Sequence, residues 1–287
     1  MTTKIAGVIG GSGLYDMEGL EDVEEIVVET PFGATSAPIV AGTLGDVRLL
    51  FIPRHGRGHT LTPSEVPYRA NIWALKKLGA QWCISVSAVG SLKEEIVPGH
   101  VVIVDQFIDR TKGRASTFFG EGIVGHVAFG DPVSPVLAKV LLGASKTAGA
   151  TVHEGGTYVC MEGPAFSTRA ESNLYRSWGA SVIGMTNLPE AKLAREAEIA
   201  YATIALATDY DCWHEGHDDV SVAAVLDTVR KNVSMARQII RKAAANIPAD
   251  LDPLVDGASE FAVMTRPELI PQDRLDALAP IIGKYFA

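Results

Sequence analysis

The chain has 287 residues, of which 47% are hydrophobic, and it carries a formal net charge of −9 at pH 7. This length and composition are enough to bury a large core, and no composition break or internal repeat marks a domain boundary. The acidic balance argues against a nucleic-acid or anionic membrane surface, because those partners select for basic faces. We therefore expect one domain, residues 1–287, whose ligand is a small molecule.

The amino terminus, MTTKIAGVIGGSG, leads directly into a predicted strand without a charged leader before a hydrophobic segment. No apolar run approaches the length needed to cross a bilayer, so we expect a cytoplasmic protein. Cys83, Cys160 and Cys212 are far apart, and no His stands in ligand spacing with a Cys or in an HExxH helix. The sequence therefore predicts neither a disulfide framework nor a metal site.

The first predicted strand, residues 5–9, ends in the turn Gly10-Gly11-Ser12-Gly13. Such a turn can offer backbone N–H groups and the Ser12 hydroxyl to an anion, although a tight turn without a ligand is its more common use. It is not a dinucleotide fingerprint, because Asp16 stands where the third glycine is needed. Alternating runs at 23–28, 38–42 and 47–52 then predict hairpins, so the expected sheet is mixed.

The run 47–52 ends in the loop PRHGRGHT, which places Arg54 and His55 just after a predicted buried strand. A solvated basic loop and an anion site both fit this composition, and the place after a strand favours the anion site because arginine binds phosphate through its planar fork. Arg-His-Gly also resembles the motif of histidine phosphatases, in which the His accepts phosphate. There the motif closes the first strand of the domain, whereas here one strand and two further runs precede it.

The middle of the chain alternates predicted strands, small-residue loops and helices. Helices are predicted at 68–78, 137–148 and 168–178, strands at 82–87, 101–105 and 157–161, and strand-end loops at 87–91 (SAVGS) and 162–167 (EGPAFS). The segment 109–129 is rich in glycine and irregular, and long loops of this kind tend to be functional.

The stretch from Val182 to Trp213 reads as strand, helix and strand, with the helix beginning at Pro189-Glu190. Such a unit favours two parallel strands in one sheet, with a ligand just beyond their carboxyl ends. Met185-Thr186 and Asp209-Tyr210-Asp211 stand at those ends. The spacing of the two aspartates alone favours a turn, since Asp bonds its own backbone there. The alternative is a pair that grips a nitrogen heterocycle.

Several predicted strand ends thus carry Gly/Ser/Thr or Arg/His loops. A set that contains Ser12, Arg54, Ser87 and Thr186 has the composition of a site for free phosphate, with one fixed positive charge among hydroxyl and amide donors.

Eight motifs follow one another along the chain: GGSGL, PRHGRGHT, YRANIWALK, SAVGSL, DQFIDRT, EGPAFSTRAES, MTNLPEAKLAREA and YATIALATDYDCW. Together, from about Ile5 to Leu226, they resemble the S-methyl-5′-thioadenosine phosphorylase family of the purine nucleoside phosphorylase superfamily. The resemblance implies an α/β fold in a single domain, with a mixed twisted central sheet flanked by helices. Residues 249–287 lie beyond the motifs, and we expect a helical extension, with a helix at 272–285, packed on that domain.

The resemblance also implies the site. Phosphate contacts fall on Ser12, Arg54, His55, Ser87, Ala88 and Thr186, the ribose contact on Met185, and the purine contacts on Phe166, Asp209 and Asp211. Positions linked to substrate choice fall on Ser167 and Val222. The methylthio pocket falls on Val222, Val225 and Leu226. A residue that the neighbouring subunit contributes to the site falls on His126. Gly184 and Pro67 depart from the family pattern, because animal relatives carry Asn at both positions.

The implied reaction is the phosphorolysis of S-methyl-5′-thioadenosine to adenine and 5-methylthioribose 1-phosphate, a pentosyl transfer in purine and methionine salvage. It implies no metal or organic cofactor, with inorganic phosphate as co-substrate, and a homotrimer with shared active sites. The chemistry requires a phosphate beneath the sugar and an acid at the leaving purine, and Asp209 is the candidate acid. This asks for a protonated Asp209 in a dry pocket.

Other functions remain as alternatives. A 6-oxopurine nucleoside or methylthioinosine phosphorylase shares the fold and the phosphate site, but the aspartate pair suits a 6-amino group better. A non-catalytic nucleoside sensor would keep the apolar pocket and lose the acid or the phosphate arginine, and both residues are present. The helix face formed by Val222, Val225, Leu226, Val229 and Val233 is apolar, which suits either a core or an uncharged thioether.

Overall fold

The computed structural model describes residues 4–11, 13–214 and 222–286, with only the backbone of residues 222–227 and 229. The strands are β1 (Lys4–Gly10), β2 (Glu21–Ile26), β3 (Ile39–Leu44), β4 (Val47–Pro53), β5 (Trp82–Ser91), β6 (Val101–Ile103), β7 (Gln106–Arg110), β8 (Val152–Glu154), β9 (Thr157–Met161), β10 (Val182–Gly184) and β11 (Ala200–Asp209). The helices are α1 (Tyr68–Lys77), α2 (Pro135–Thr147), α3 (Arg169–Ser177), α4 (Asn187–Glu196), α5 (Val222–Ala244), α6 (Gln272–Ala277) and α7 (Ala279–Ile282). None of these helices, over the part of the chain described, is long and apolar enough to cross a membrane.

All the strands belong to one mixed sheet, ordered β2-β3-β4-β1-β5-β10-β9-β7, and a branch β11-β6-β8 leaves it at β5. The hairpins predicted before residue 53 are present, because β3 pairs antiparallel with both β2 and β4. One apolar core lies between the sheet and α1, α4 and α7, and another lies between the sheet and α2 and α5. The prediction of an α/β fold with a mixed sheet flanked by helices is confirmed.

β5 is the strand on which the sheet divides, and it is longer than the sequence indicated. We predicted a loop at 87–91, but these residues continue the strand, with Ser87 opposite Ala205 and Gly90 opposite Asp209. The small residues that suggested a turn serve close packing instead, because a Cβ at Gly90 would lie 3.0 Å from Asp209 Oδ1. The prediction of a loop was wrong because small side chains suit a crowded strand as well as a turn.

β10 and β11 were predicted to be parallel, and they are not. β11 runs parallel to β5, whereas β10 runs antiparallel to it, with Ile183 opposite Gly90. Gly90 therefore pairs with both strands, and the helix between them does not make a simple parallel crossover. Because β10 runs back along β5, the chain beyond Gly184 returns toward Ser87.

The carboxy-terminal segment packs against α1 and the end of α4. The Trp73 Nε1 donates to the Ala277 carbonyl at 2.8 Å, and the Tyr285 hydroxyl donates to Glu198 at 2.6 Å. The helix predicted at 272–285 is broken into α6, α7 and a 3₁₀ turn. Pro280 explains the first break, because a proline lacks the N–H that a continuing helix needs.

Candidate active site at the edge of the sheet

Arg54 follows β4 and lies at the junction of β1, β4 and β5, where only 3% of it is exposed. Its Nε and Nη2 donate to the two carboxylate oxygens of Glu190 at 2.8 and 3.0 Å. Nη1 donates to the Val86 carbonyl at 2.9 Å, and Nη2 also lies 2.7 Å from Ser85 Oγ. Burial opposes ionisation, but the Glu190 carboxylate outweighs it and holds the pKa of Arg54 above its usual range.

This network fixes the guanidinium in one orientation. Among the described residues, Nη1 has a partner for only one of its two N–H groups, so one donor remains for a ligand. Glu190 also accepts from Ser85 Oγ at 2.8 Å and from the Tyr201 hydroxyl at 2.9 Å. Sequence reasoning took Glu190 only as a helix-start residue, because nothing in its neighbourhood in the chain indicates that its partner is Arg54.

His55 is part-buried beside Arg54, and its Nδ1 lies 2.8 Å from the Leu61 carbonyl. Burial lowers the pKa of His55 to about 4, the Arg54 charge adds to that effect, and the Leu61 carbonyl opposes it. Since a carbonyl only accepts, the proton of the neutral ring is on Nδ1 and Nε2 presents a lone pair. In this state Nε2 can accept a hydrogen bond from a protonated anion but cannot donate one to it.

Ser87 and Thr186 bring hydroxyl groups to the same edge. Both residues are buried. Thr186 precedes α4, and its side chain caps no backbone amide of that helix. A helix amino terminus favours an anion, and a free threonine hydroxyl there adds a donor. Ala88 follows Ser87 on β5 and is exposed, whereas Ser12 lies outside the described residues.

Asp209 and Asp211 form the turn that their spacing predicts, because Asp209 Oδ1 accepts the Asp211 backbone N–H at 2.8 Å. The turn is not on an open surface, however, since Asp211 is only 9% exposed. Burial raises the pKa of both carboxyl groups. Within the described residues, Asp211 Oδ2 is buried without a hydrogen-bond partner. A buried acceptor of this kind normally has a donor, which a ligand could supply.

The loop after β9 and the loop after β10 meet at Met185. A Cβ at Gly163, where φ is +68°, would lie 2.5 Å from the Met185 Sδ, so the absence of a side chain at Gly163 lets the thioether pack there. Ser167 is buried in the same loop, and Phe166 is exposed.

Arg114 ties these two loops together. Its Nη1 donates to the carbonyls of Met185 and Leu188 at 2.7 and 2.9 Å, and its Nη2 donates to the Glu162 carbonyl at 2.7 Å. Arg114 lies in the irregular segment 111–130, and no local pattern distinguishes it from a surface arginine. Sequence reasoning expected the stretch 109–129, of which residues 109 and 110 belong to β7, to be functional, but it missed Arg114.

His126 is exposed on that same segment, and its backbone N–H donates to the Ala262 carbonyl at 2.9 Å. None of its described contacts reaches the residues above. Val124, Phe261 and Met264 nearby are exposed apolar side chains, and Phe261 is 87% exposed. The side chains of Val222, Val225 and Leu226 lie outside the described residues. The apolar pocket predicted from them therefore stays a prediction.

Among the residues that the structure describes, no group of three or more His, Cys, Asp or Glu side chains could hold a metal ion. The site consists instead of a neutralised guanidinium, hydroxyl groups, the buried carboxyl group of Asp211 and the part-buried carboxyl group of Asp209. This set can bind an oxyanion at one end and protonate or accept from a heterocycle at the other.

Residues 5–245 match the phosphorylase superfamily. The chain is 62% identical over 283 residues to the S-methyl-5′-thioadenosine phosphorylase of Geobacter sulfurreducens, covering 98% of this chain and 99% of that protein. It is 55% identical to the same enzyme of Synechocystis sp., covering all of this chain and 89% of that one.

Among the solved structures that resemble this chain, two illustrate the similarity of the fold. A methylthioadenosine phosphorylase from an Antarctic soil metagenomic library is 48% identical, with a TM-score of 0.93 and coverage of 98% of this chain and 99% of that chain. A variant of the adenosine/methylthioadenosine phosphorylase of Schistosoma mansoni, solved with methylthioadenosine, is 38% identical, with a TM-score of 0.81 and coverage of 89% and 99%.

Proposed function

The chain belongs to the phosphorylase superfamily, and we propose that it catalyses the phosphorolysis of S-methyl-5′-thioadenosine to adenine and 5-methylthioribose 1-phosphate. One observation carries the assignment of the site: β5 holds Ser87 at the Arg54 end and Gly90, opposite Asp209, at the other. Three residues along a strand span about 10 Å. This separation suits a phosphate at one end, a purine at the other and a ribose between them.

In the proposed reaction, an unprotonated oxygen of HPO₄²⁻ attacks C1′ as the bond from C1′ to N9 breaks. The bonding electrons pass into the purine, and Asp209 donates its proton to N7 of the leaving base. As the new ester bond forms, the phosphate loses the proton of its hydroxyl group. Over the whole reaction this proton replaces the one that Asp209 gave to the purine, so Asp209 is protonated again. Arg54, Ser87, Ala88 and Thr186 hold the phosphate, and Met185 lies at the ribose.

The aspartate pair favours a 6-amino over a 6-oxo purine. The unpartnered Asp211 Oδ2 is a buried acceptor, and an exocyclic amine supplies the donor that it lacks. A 6-oxo group is itself an acceptor and meets an ionised carboxylate with repulsion. We assign Phe166 and Ser167, on the loop after β9, to the purine, and the family motifs assign Val222, Val225 and Leu226 to the methylthio group.

The remaining features belong to the same proposal. The enzyme works in the cytoplasm in purine and methionine salvage, needs no metal or organic cofactor, and acts as a homotrimer in which His126 completes a neighbour's site. The exposed Val124, Phe261 and Met264 beside His126 support burial of this face by a second copy.

The activity is tested with purified enzyme, methylthioadenosine and phosphate, with adenine measured as product. Adenine should form only when phosphate is present, together with an equal amount of the sugar phosphate. Adenine released equally without phosphate would mean hydrolysis, and preferred cleavage of methylthioinosine would transfer the assignment to a 6-oxopurine enzyme.

Assembly is tested by mixing two inactive variants, His126→Ala and Asp209→Asn, after partial dissociation. If sites are shared, about a quarter of those in random hybrids pair an intact Asp209 with an intact neighbouring His126. Activity should then return toward that fraction. Mixtures that stay inactive while native mass spectrometry shows mixed trimers would exclude sharing through His126.

A further inference from the structure

Tyr158 is a fully buried tyrosine on β9, outside the set of residues so far placed at the phosphate. It is 0% exposed, and its hydroxyl lies 3.1 Å from Ser87 Oγ. Burial raises the pKa of Tyr158, whereas the Ser87 hydroxyl and the Thr186 backbone N–H both act against that rise. The phenol hydroxyl therefore lies against Ser87, one of the proposed phosphate-binding residues.

The direction of this hydrogen bond follows from the groups involved. Among the described hydrogen bonds, Ser87 Oγ is the one partner of the phenol hydroxyl, and a buried hydroxyl needs an acceptor for its proton, so the Tyr158 proton goes to Ser87 Oγ. Ser87 Oγ then accepts from Tyr158, and its proton is free for another acceptor. The Ala88 carbonyl is 3.4 Å away, a long distance for a hydroxyl donor. An anion at the helix amino terminus is a better acceptor.

Gly184 makes this position of the phenol possible. A Cβ at Gly184 would overlap the Tyr158 hydroxyl oxygen and lie 2.6 Å from Cζ. Gly184 pairs with Cys160 on β9, two residues beyond Tyr158, so the contact is built into the strand register. Its φ is not positive, so no turn requires a glycine there. The steric contact with Tyr158 is the reason for glycine at this position.

We propose that the Tyr158 hydroxyl is a positioning group for phosphate, which aims the Ser87 proton at the anion, and that Gly184 lacks a side chain to admit it. This inference rests on the proposed phosphate contact of Ser87. It adds a pair of residues that act through Ser87 and do not touch the substrate. It also explains why this chain has Gly184 without losing the site.

The first test is Tyr158→Phe, which removes only the hydroxyl. The KM for phosphate should rise about five- to tenfold, the value of one lost hydrogen bond, while the KM for methylthioadenosine stays within twofold. Tyr175→Phe is the matched control, because Tyr175 is also buried and none of its described contacts reaches Ser87. A loss of thermal stability alone, with an unchanged KM for phosphate, would make Tyr158 a core residue and overturn the inference.

The second test uses coupling between the two residues. Gly184→Ala should raise the KM for phosphate more than tenfold, because its Cβ displaces the phenol. In a Tyr158→Met background the ring is absent, and adding Gly184→Ala should change that KM by less than about threefold. Equal effects in both backgrounds would overturn the role of Gly184. If Gly184→Ala does not fold, Tyr158→Phe still decides the role of the hydroxyl.

Ser87→Ala separates this inference from the function on which it rests. If Ser87→Ala raises the KM for phosphate and Tyr158→Phe does not, the positioning role is wrong and the phosphate site stands. If Ser87→Ala leaves that KM unchanged while the wild-type enzyme remains a phosphorylase, Ser87 does not bind phosphate and the inference falls with it.

Discussion

The Thr208 hydroxyl lies 2.6 Å from Asp209 Oδ2 and 3.2 Å from the Val89 carbonyl oxygen. A hydroxyl has one proton, so it cannot donate to both oxygens at once. If Asp209 carries a proton on Oδ2, that proton goes to Thr208 Oγ1 and the threonine proton goes to Val89. The arrangement thus satisfies every group when Asp209 is protonated, which is the state that an acid needs.

Thr208→Val should therefore weaken the acid without removing it. The valine has nearly the same shape but cannot accept from Asp209 or donate to Val89, and we expect kcat to fall about 3- to 20-fold, the value of one or two lost hydrogen bonds. Thr208→Ser restores the hydroxyl and should recover most of the rate. Steady-state kinetics on the three proteins measure this. A loss in the Ser variant with none in the Val variant would point to packing by the methyl group and would contradict the role of the hydroxyl.

Asp209→Asn keeps the shape of the side chain and removes the acidic proton. Cleavage of methylthioadenosine should fall by a factor of about 10² to 10⁴, and methylthioinosine should gain relative to it. Because burial raises the pKa of Asp209, the wild-type kcat should decline as pH rises and the carboxyl group loses its proton, and the Asn variant should lose this decline.

Both nucleosides should also be assayed on Asp211→Asn. A change of less than about threefold in amino-to-oxo preference in both variants would leave the two aspartates as turn residues.

Glu190→Gln breaks the buried pair with Arg54 and should cost about 3–5 kcal/mol of unfolding free energy, because it leaves a buried charge uncompensated. The guanidinium also loses its fixed orientation, so the KM for phosphate should rise. Glu24→Gln is the matched control, since it breaks a pair with Arg48 in which the Glu24 side chain is 56% exposed and should cost less than about 1 kcal/mol. Urea denaturation of both variants gives the comparison.

Arg114→Lys keeps a positive charge but loses the fork that holds three carbonyl groups. We expect the KM for methylthioadenosine to rise about tenfold, because the loops after β9 and β10 lose their common anchor. The KM for phosphate should change less. Lys112→Ala, at an exposed side chain of the same segment, is the control. If phosphate binding suffers as much as nucleoside binding, Arg114 supports the whole edge and not the purine end.

His55 should make stability depend on pH. Its pKa is lowered in the folded protein to about 4 from an ordinary value of 6.5, so the unfolded chain binds the extra proton between these values. Stability supplied by the neutral ring is present above pH 6.5 and is lost as pH falls toward 4. His55→Asn can still donate to the Leu61 carbonyl and should show a smaller loss. The check is the drop in melting temperature between pH 7 and pH 5, measured for the wild type and for His55→Asn. An equal drop in the two proteins would mean that His55 does not contribute to the pH dependence.

The sequence predicted most elements because periodicity and turn residues are local. Its errors arose where the chain's small residues serve contacts distant in sequence: Gly90 packs against Asp209, and Gly184 admits Tyr158. The sequence alone does not distinguish a glycine that packs in a strand from a glycine that allows a turn, so SAVGS was assigned to a loop. The direction of β10 was wrong for a related reason, since three residues contain too little pattern to fix a partner.

The residues of the candidate site also fall into a group that the sequence predicted and a group that it missed. Family motifs named the proposed ligand-binding residues, such as Arg54 and Asp209, and the structure places both along β5, Arg54 against Ser85 and Val86 and Asp209 opposite Gly90. They could not name Glu190, Arg114 or Tyr158, which act through burial and through partners far along the chain. Charged and hydroxyl side chains that support a site have no local sequence pattern, because the partners of each side chain depend on which strands become neighbours in the sheet.

The hydrogen bond between His55 Nδ1 and the Leu61 carbonyl bears on the choice between two inorganic anions of the same shape and charge. At neutral pH, HPO₄²⁻ has one hydroxyl to donate, whereas SO₄²⁻ has none. In the proposed phosphate site, the lone pair on His55 Nε2 would accept a proton from phosphate and would repel every oxygen of sulfate. By holding the His55 proton on Nδ1, the Leu61 carbonyl would then make His55 select a protonated oxyanion without touching either anion itself.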